Sequence, residues 1–218
     1  MSEETQGTGH GEVGAPLPPK PVTLDQIEDG VRAMLRGLGQ SGKPEVMANT
    51  PRRVAEMFET IINAPWCDIE IPWKTFPNEK DGKPLVEDLI MVLDCHYVSM
   101  CEHHLAPAVG VAHVAYVPDK KITGYSKLKK GLNYIARQPQ LNERITRDVL
   151  DAIESVLEPK GCALITHSSH MCLMCKTNGP GQEIVTIQDF RGCLKEDPWR
   201  SDFTKTAYGR RVILGPTG

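Results

Sequence analysis

Two short segments of the chain are rich in side chains that bind metal ions. Residues 101–104 read CEHH, and residues 170–175 read HMCLMC. A thiolate and an imidazole three residues apart, as in Cys101 and His104, can reach one ion from a tight turn. Mixed sulfur and nitrogen ligands suit zinc. We therefore predict a zinc site at which the two segments meet.

The spacing leaves the number of ligands open. With Cys172 and Cys175 as two further ligands, the site would be a closed tetrahedron of the structural kind. With Cys172 alone, a fourth position stays free for water, as in catalytic zinc sites. A buried cysteine is also often an ordinary core residue, but two ligand-rich segments in one chain favour metal binding.

The composition excludes several classes of function. The chain has 218 residues, enough for one domain of ordinary to large size or two small ones, and 40% of them are apolar. A net charge of -3 provides no basic surface for nucleic acid. No apolar run approaches the roughly 18 residues of a membrane span, and the polar N-terminus does not read as a secretory signal. The seven cysteines suggest thiols rather than disulfides. Together, these features predict a cytoplasmic protein without nucleic-acid or membrane partners.

The first part of the chain predicts a tail and a helix. Residues 1–21 are rich in Gly, Pro, Glu and Thr and predict a flexible tail, because they cannot bury enough apolar surface to fold. Thr23 is a typical helix-capping residue, and apolar residues recur after it at helical spacing. Gly37 and Gly39 predict the end of this helix.

A second helix and a long loop follow in the prediction. Thr50 before Pro51 is a helix start signal, since proline is favoured at the first helical position. Residues 64–86 contain Pro, Asn, Asp and Gly and predict a long loop. We therefore divide the chain after the tail into an N-terminal helical segment, 22–66, and a zinc-containing catalytic domain, 67–218.

The rest of the chain predicts grouped strands and helices. The predicted strands are rich in β-branched and apolar residues, and the predicted helices have one apolar face. Two helices, two strands, two helices and two strands in this order argue for an α+β domain with an antiparallel sheet. The strands are predicted at 87–100, 107–117, 161–167 and 183–189, and the later helices at about 126–137 and 140–157.

Five motifs together resemble the GTP cyclohydrolase I family, in the order of that family and at close to its spacing. The resemblance covers roughly residues 23–176. It implies the tunnelling fold, with two N-terminal helices before a four-stranded antiparallel sheet that carries two helices. It also implies a homo-oligomeric ring, a decamer of two face-to-face pentamers with active sites at subunit interfaces. The motifs are TPRRVA at 50–55, CEHH at 101–104, GYSKL at 124–128, ARQPQLNER at 136–144 and HMC at 170–172.

The resemblance also implies a reaction. Members of the family open the imidazole ring of GTP at carbon 8, release formate and close a pterin ring to give dihydroneopterin triphosphate. Carbon 8 is a poor electrophile, and a zinc ion supplies a nucleophilic water at neutral pH. Cys101, His104 and Cys172 match the three zinc ligands of the family, one ion per subunit. The family does not use the position of Cys175 as a ligand, which favours the open, catalytic site.

Further residues match the base-binding and proton-transferring positions of the family. His103 and His170 match its catalytic histidines, and imidazole can pass protons near neutral pH. Glu143 matches the residue that holds the guanine edge, because a carboxylate accepts hydrogen bonds from the ring N–H and the exocyclic amine. Asn142 stands where the family often has Gln, and we predict that it helps to hold the base.

The predicted phosphate site departs from the family pattern. Ser126, Lys127 and Arg53 match it, but Lys130 and Lys176 stand where the family usually has Arg. Arg binds phosphate through two hydrogen bonds and Lys as a point charge, so these exchanges are not conservative.

One further exchange concerns Glu56, which falls where some members of the family have Lys and would add repulsion. Three readings therefore stay open: a GTP-converting enzyme, a paralogue that acts on another guanine nucleotide, purine or pterin, and a non-catalytic zinc scaffold.

Overall fold

The N-terminal part of the chain is a pair of helices. The structure, a computed structural model, describes residues 23–62, 73–176 and 183–209. Helix α1 spans Leu24–Gly37 and helix α2 spans Pro44–Ile62. The tail predicted for the first residues lies outside the described part of the chain, and the division into two folded segments stays a prediction.

The predicted limits of the first helix are confirmed. Thr23 is the residue that precedes α1, and the helix ends at Gly37. Gly39 has a φ of 72°, a left-handed conformation that glycine adopts without steric cost. An ion pair connects the two helices, in which the Arg52 guanidinium of α2 lies 3.9 Å from the Asp25 carboxylate of α1.

The predicted start of the second helix is wrong. Helix α2 begins at Pro44, and Pro51 lies inside it. Lys43 followed by Pro44 offers a start signal of the same kind, and residues 44–50 contain no glycine that would stop a helix. The earlier of two proline signals therefore begins the helix, although Pro51 has no N–H to donate to the preceding turn.

The predicted long loop contains short strands. They are too short to show an alternating pattern in the sequence, since each has two or three residues. Asp81 and Gly82 have φ values of 55° and 75°, which are typical of a tight hairpin turn. The strands are β1 (Thr75–Pro77), β2 (Glu79–Lys80) and β3 (Lys83–Pro84).

A mixed sheet of five strands forms the centre of the fold. The remaining elements, in chain order, are β4 (Ile90–Cys101), β5 (Pro107–Val117), β6 (Lys121–Thr123), α3 (Tyr125–Ala136), β7 (Pro139–Gln140), α4 (Asn142–Leu157), β8 (Gly161–His170), α5 (Met171–Lys176), β9 (Val185–Gly192) and α6 (Trp199–Tyr208). The strand order in the central sheet is β7-β4-β5-β8-β9. Its four long strands are antiparallel, as predicted, and the two-residue strand β7 pairs in parallel with β4. The α+β class is thus confirmed.

Both faces of the sheet are covered. Helices α3 and α4 pack on one face, where side chains such as Leu132, Ile145 and Leu164 are fully buried. Helix α6, which the sequence did not predict, covers the other face with Phe203. None of the helices in the described part of the chain combines the length and apolar character that a membrane span needs.

A bulge in β4 sets which side chains face α3 and α4. Val92 pairs with Val114 and Cys95 with Ala112, so two residues of β4 lie opposite one residue of β5. The extra residue reverses the alternation of side chains along the strand. As a result, Cys95 and then Tyr97 are buried under the helices, and the odd-numbered residues that follow point to the same face.

The core predicts a stability difference between two leucines. Leu164 of β8 is fully buried, whereas Leu85 is 51% exposed. We expect Leu164→Ala to lower the free energy of unfolding by about 2–5 kcal/mol, because it leaves a cavity in the core. Leu85→Ala should cost less than about 1 kcal/mol. Urea midpoints and melting temperatures of both variants measure this, and equal losses would contradict the assignment of the core.

Candidate active site

The strand register brings the two ligand segments to one end of the sheet, where β4 and β8 end and β5 begins. Met100 pairs with Pro107 where β4 meets β5, and Ala108 pairs with His170 where β5 meets β8. The turn at 101–106 and the start of α5 are therefore neighbours, although they are far apart in sequence. This arrangement confirms that the two segments meet in space.

A tight turn after β4 presents the first two ligands. The backbone N–H of Cys101 donates to the Ala106 carbonyl, and that of Leu105 donates to the Cys101 carbonyl, each at 2.9 Å. Leu105 takes a left-handed conformation, with a φ of 49°. The turn holds Cys101 Sγ at 3.4 Å from Nδ1 of His104.

Three side chains form a group that could hold a metal ion. The ligand atoms of Cys101, His104 and Cys172 all lie within 4.8 Å of one another. Zinc bonds of about 2.3 Å to sulfur and 2.0 Å to nitrogen place a tetrahedral sulfur and nitrogen about 3.5 Å apart, close to the separation in the turn. Cys175 is exposed and does not belong to this group. The donor set therefore fits a zinc ion with three protein ligands.

The Cys172 thiol is sensitive to its neighbours. Burial raises its pKa, and hydrogen bonding and charge interaction with Cys101 raise it further. Two thiolates close together repel each other, so a cation between them stabilises the deprotonated pair. The arrangement is thus suited to a metal ion rather than to a free reactive thiolate.

A cavity of about 230 Å³ borders Cys101 and Cys172, two of the three candidate ligands. Its walls combine the ends of β4 and β8 with the first turn of α4. Glu143 and Asn142 of that turn, together with His170, line it, so the structure brings these predicted residues together with the metal group. The lining residues are Ser99, Met100, Cys101, Ala108, Gln140, Leu141, Asn142, Glu143, His170, Cys172, Leu173 and Val185.

His170 is the half-buried imidazole of this cavity. Its Nε2 lies 2.9 Å from Oγ of Ser168. Burial lowers its pKa, and the negative charge of Glu143 acts in the opposite direction. His170 is therefore a neutral ring close to the candidate ligands and to the only carboxylate among the residues that line this cavity.

His103 lies on the outer side of the same turn. Its side chain is 64% exposed, and its Nε2 is 3.9 Å from Glu102 Oε1. The other carboxylate oxygen of Glu102 accepts a hydrogen bond of 2.9 Å from Arg144. Sequence reasoning missed Glu102 and Arg144, although both lie inside the motifs that carry the family resemblance.

The predicted phosphate-binding residues stand apart from the cavity. Among the residues that line it, none belongs to that set. Lys127 is half-buried and the others are exposed, so all of them can meet solvent or another chain. Their roles stay predictions. The residues are Arg53 on α2, Ser126, Lys127 and Lys130 on α3, and Lys176 on α5.

The charge of Glu56 is paired within its own helix. Its carboxylate accepts a hydrogen bond of 2.9 Å from Arg52. A bound phosphate would therefore meet a neutralised pair at this point rather than an isolated negative charge. The repulsion expected from Glu56 is correspondingly smaller than the sequence alone suggested.

Similarity to known proteins identifies the family of the chain. A family model described as GTP cyclohydrolase I matches residues 27–207. The chain belongs to the GTP cyclohydrolase I family. GTP cyclohydrolase 1 of Bacillus cytotoxicus is 42% identical over 181 residues, which are 81% of this chain and 91% of that protein. GTP cyclohydrolase 1 of Bacillus mycoides is 41% identical with the same coverage.

Solved structures are similar over part of the chain. The archaeosine synthase QueF-Like in the apo form covers 48% of this chain and 93% of its own, with 15% identity and a TM-score of 0.39. A similarity this low supports no inference about this member of the GTP cyclohydrolase I family. The family match and the Bacillus relatives identify the chain as a hydrolase.

The three-ligand group predicts a difference between two cysteines of α5. Cys172→Ala should reduce bound zinc from about one ion per chain to near zero, since two protein ligands rarely retain zinc. Cys175→Ala is the matched control and should keep the full metal content. Elemental analysis of the purified variants measures this. Loss of zinc from the Cys175 variant would show a closed, four-ligand site.

Proposed function

We propose that the protein is a zinc-dependent cyclohydrolase that opens the imidazole ring of GTP at carbon 8, releases formate and forms 7,8-dihydroneopterin triphosphate. The observation that carries the proposal is the three-donor group of Cys101, His104 and Cys172. Two of its members, Cys101 and Cys172, line the same cavity as Glu143 and His170. Family membership supports the same reaction class.

Cys101, His104 and Cys172 would hold one zinc ion per subunit. When bound, zinc lowers the pKa of a coordinated water to about 7 and so supplies a nucleophile at neutral pH. Cys175 lies outside the three-residue group, which speaks against the non-catalytic scaffold, because that reading needs a fourth protein ligand.

Glu143 would orient the base. It lies in the first turn of α4 and lines the cavity next to His170 and Cys172. Its carboxylate can accept hydrogen bonds from the ring N–H and the exocyclic amine of guanine, and adenine does not present these two donors side by side. The guanine edge at Glu143 would direct the imidazole ring of the purine toward the metal group.

His170 and His103 would move protons. His170 lines the cavity, so its ring N–H can act as a hydrogen-bond and proton donor to the purine ring nitrogen that is released when the bond to carbon 8 breaks, and the ring can recover a proton from the attacking water. His103 is exposed next to Glu102, and we assign it a second proton-transfer role at the outer side of the turn.

A second subunit would complete the site. The cavity of about 230 Å³ is smaller than the roughly 300 Å³ at which pockets for drug-sized ligands begin, so it suits the base rather than a whole triphosphate. Leu105, Val109 and Met171 are large apolar residues exposed at this edge. They would pack against a neighbouring copy in a homo-oligomeric ring, for which we propose two pentamers.

The triphosphate would then lie in a groove between subunits. Ser126, Lys127, Lys130, Arg53 and Lys176 are the side chains assigned to it.

The six described cysteines are free thiols, which supports the predicted cytoplasmic location.

A different guanine nucleotide is the second candidate substrate. It is favoured by Lys130 and Lys176, which replace the bidentate arginines of the usual phosphate site by point charges. A substrate with fewer phosphates would need less of that site. The reaction at carbon 8 would be the same.

The substrate is tested by steady-state comparison of GTP, GDP, GMP and guanosine with zinc-loaded protein. We expect the highest kcat/KM for GTP, with formate and the pterin product formed in equal amounts. Absorbance and mass spectrometry report ring opening, formate release and ring closure separately. Turnover of another purine without turnover of GTP would contradict the proposal.

Base recognition is tested by Glu143→Gln. The amide offers one acceptor instead of two, so we expect kcat/KM for GTP to fall by about a hundredfold or more, because a polar site loses selectivity sharply when a hydrogen bond is unmatched. Zinc content should stay unchanged. Glu79→Gln, at an exposed site on β2, is the control. Normal kcat/KM in the Glu143 variant would remove this residue from the base site.

A further inference from the structure

A buried chain of hydrogen bonds ends on His170. The Tyr97 hydroxyl donates to Oδ1 of Asn142 at 2.9 Å. Nδ2 of Asn142 donates to Oγ of Ser168 at 2.9 Å. Oγ of Ser168 lies 2.9 Å from Nε2 of His170. Three side chains from three different elements are thus linked in series to one imidazole.

The strand pairing brings the members of this hydrogen-bond series together. Tyr97 of β4 pairs with Gly110 of β5, and Gly110 pairs with Ser168 of β8. The Tyr97 ring lies over Gly110, where an added Cβ would come within 2.4 Å of the ring and 2.6 Å of the hydroxyl. The absence of a side chain at Gly110 therefore lets the tyrosine reach across β5.

All three linking side chains are buried. Tyr97 is 3% exposed, Asn142 is 6% exposed and Ser168 is fully buried. Buried polar groups need a hydrogen-bond partner, and water cannot readily replace one here. Burial raises the pKa of Tyr97 to about 12, although hydrogen bonds with Ser168, Thr166 and Asn142 oppose this shift. The phenol therefore stays protonated and acts as a donor.

The direction of the hydrogen bonds in this series follows from which groups donate. Oγ of Ser168 accepts from the Asn142 amide, so the hydroxyl proton of Ser168 is left to donate. Nε2 of His170 is 2.9 Å away, whereas the Val185 carbonyl is 3.5 Å away, and the shorter contact is the stronger bond. Because Nε2 accepts this bond, the ring N–H of His170 is on Nδ1.

We propose that Tyr97, Asn142 and Ser168 are positioning residues that fix the ring and the tautomer of His170, leaving Nδ1 to act in the reaction. The inference rests on the proposed catalytic role of His170. It gives Asn142 a role through the imidazole, in addition to the predicted contact with the base. Neither Tyr97 nor Ser168 needs to touch the substrate.

The kinetic test uses Tyr97→Phe, Ser168→Ala and Asn142→Ala in the full-length, zinc-loaded protein. We expect kcat to fall by about tenfold to a hundredfold, part of the effect that a general acid or base supplies. KM for GTP should stay within about twofold in Tyr97→Phe and Ser168→Ala, and it should rise further in Asn142→Ala, which also loses the predicted contact with the base. Zinc content should be unchanged, and the melting temperature should fall by only several degrees, because each variant leaves a buried polar group without its partner. Ser169→Ala and Tyr134→Phe are matched controls that should keep normal kcat.

A second readout is independent of turnover. ¹⁵N-histidine NMR of the zinc-loaded protein, with His170→Ala to assign the signal, should show Nδ1 protonated and Nε2 unprotonated in the wild type. Ser168→Ala should lose this single tautomer. The tautomer can be read even if GTP is not converted, so failure of the proposed function is distinguished from failure of the positioning role.

Three results would overturn the inference. A rise in KM with unchanged kcat would place Asn142 on the base alone. Loss of zinc or a large fall in melting temperature in Tyr97→Phe and Ser168→Ala would show that these hydrogen bonds only stabilise the fold. A protonated Nε2 in the wild type would reverse the assigned polarity.

Discussion

The register of β4, β5 and β8 fixes the distance between the two halves of the site. A shift of one residue in an antiparallel pair would turn every side chain to the opposite face. With the observed register, the turn after β4 and the start of α5 meet, and the three candidate metal ligands lie within 4.8 Å of one another. The bulge in β4 belongs to the same constraint, because it turns Tyr97 toward the face that α3 and α4 cover.

Helix α4 has to be held in place for this site to work, since its first turn carries Asn142 and Glu143. Packing against the sheet supplies most of that support, with Ile145, Val149 and Ile153 fully buried. Charge adds a second anchor near the middle of the helix. There the guanidinium of Arg191 on β9 contacts Asp151 and Glu154 of α4, so these ion pairs hold the helix against β9.

Polar groups buried at the edge of the core connect stability to chemistry. Leaving one such group without a partner costs about 1–3 kcal/mol, which limits the conformations open to Tyr97, Asn142 and Ser168. The same linked side chains that satisfy one another also restrain the imidazole of His170. By contrast, the cations assigned to the phosphates are mostly exposed and lie outside the cavity. The residues proposed to bind the base are thus restrained by contacts within one chain, whereas those proposed to bind the phosphates lie mostly on exposed surface.

The sequence by itself determined the class of fold, the candidate ligands and the family. Alternating strands, amphipathic helices and the CEHH motif are local patterns, so they can be read from residue types and spacing. The start of α2 was misplaced, because two prolines offered the same signal. The short strands β1 to β3 and helix α6 were missed, because their patterns are too weak to detect.

Only the tertiary structure decided which residues act together. Spacing could not separate three ligands from four, because Cys175 is as close in sequence to Cys172 as His104 is to Cys101. The fold leaves Cys175 exposed and outside the group. It also joins Tyr97, Asn142 and Ser168, which lie far apart along the chain. Contacts of this kind depend on strand register and on a glycine at the crossing point, and neither can be read from the separate segments.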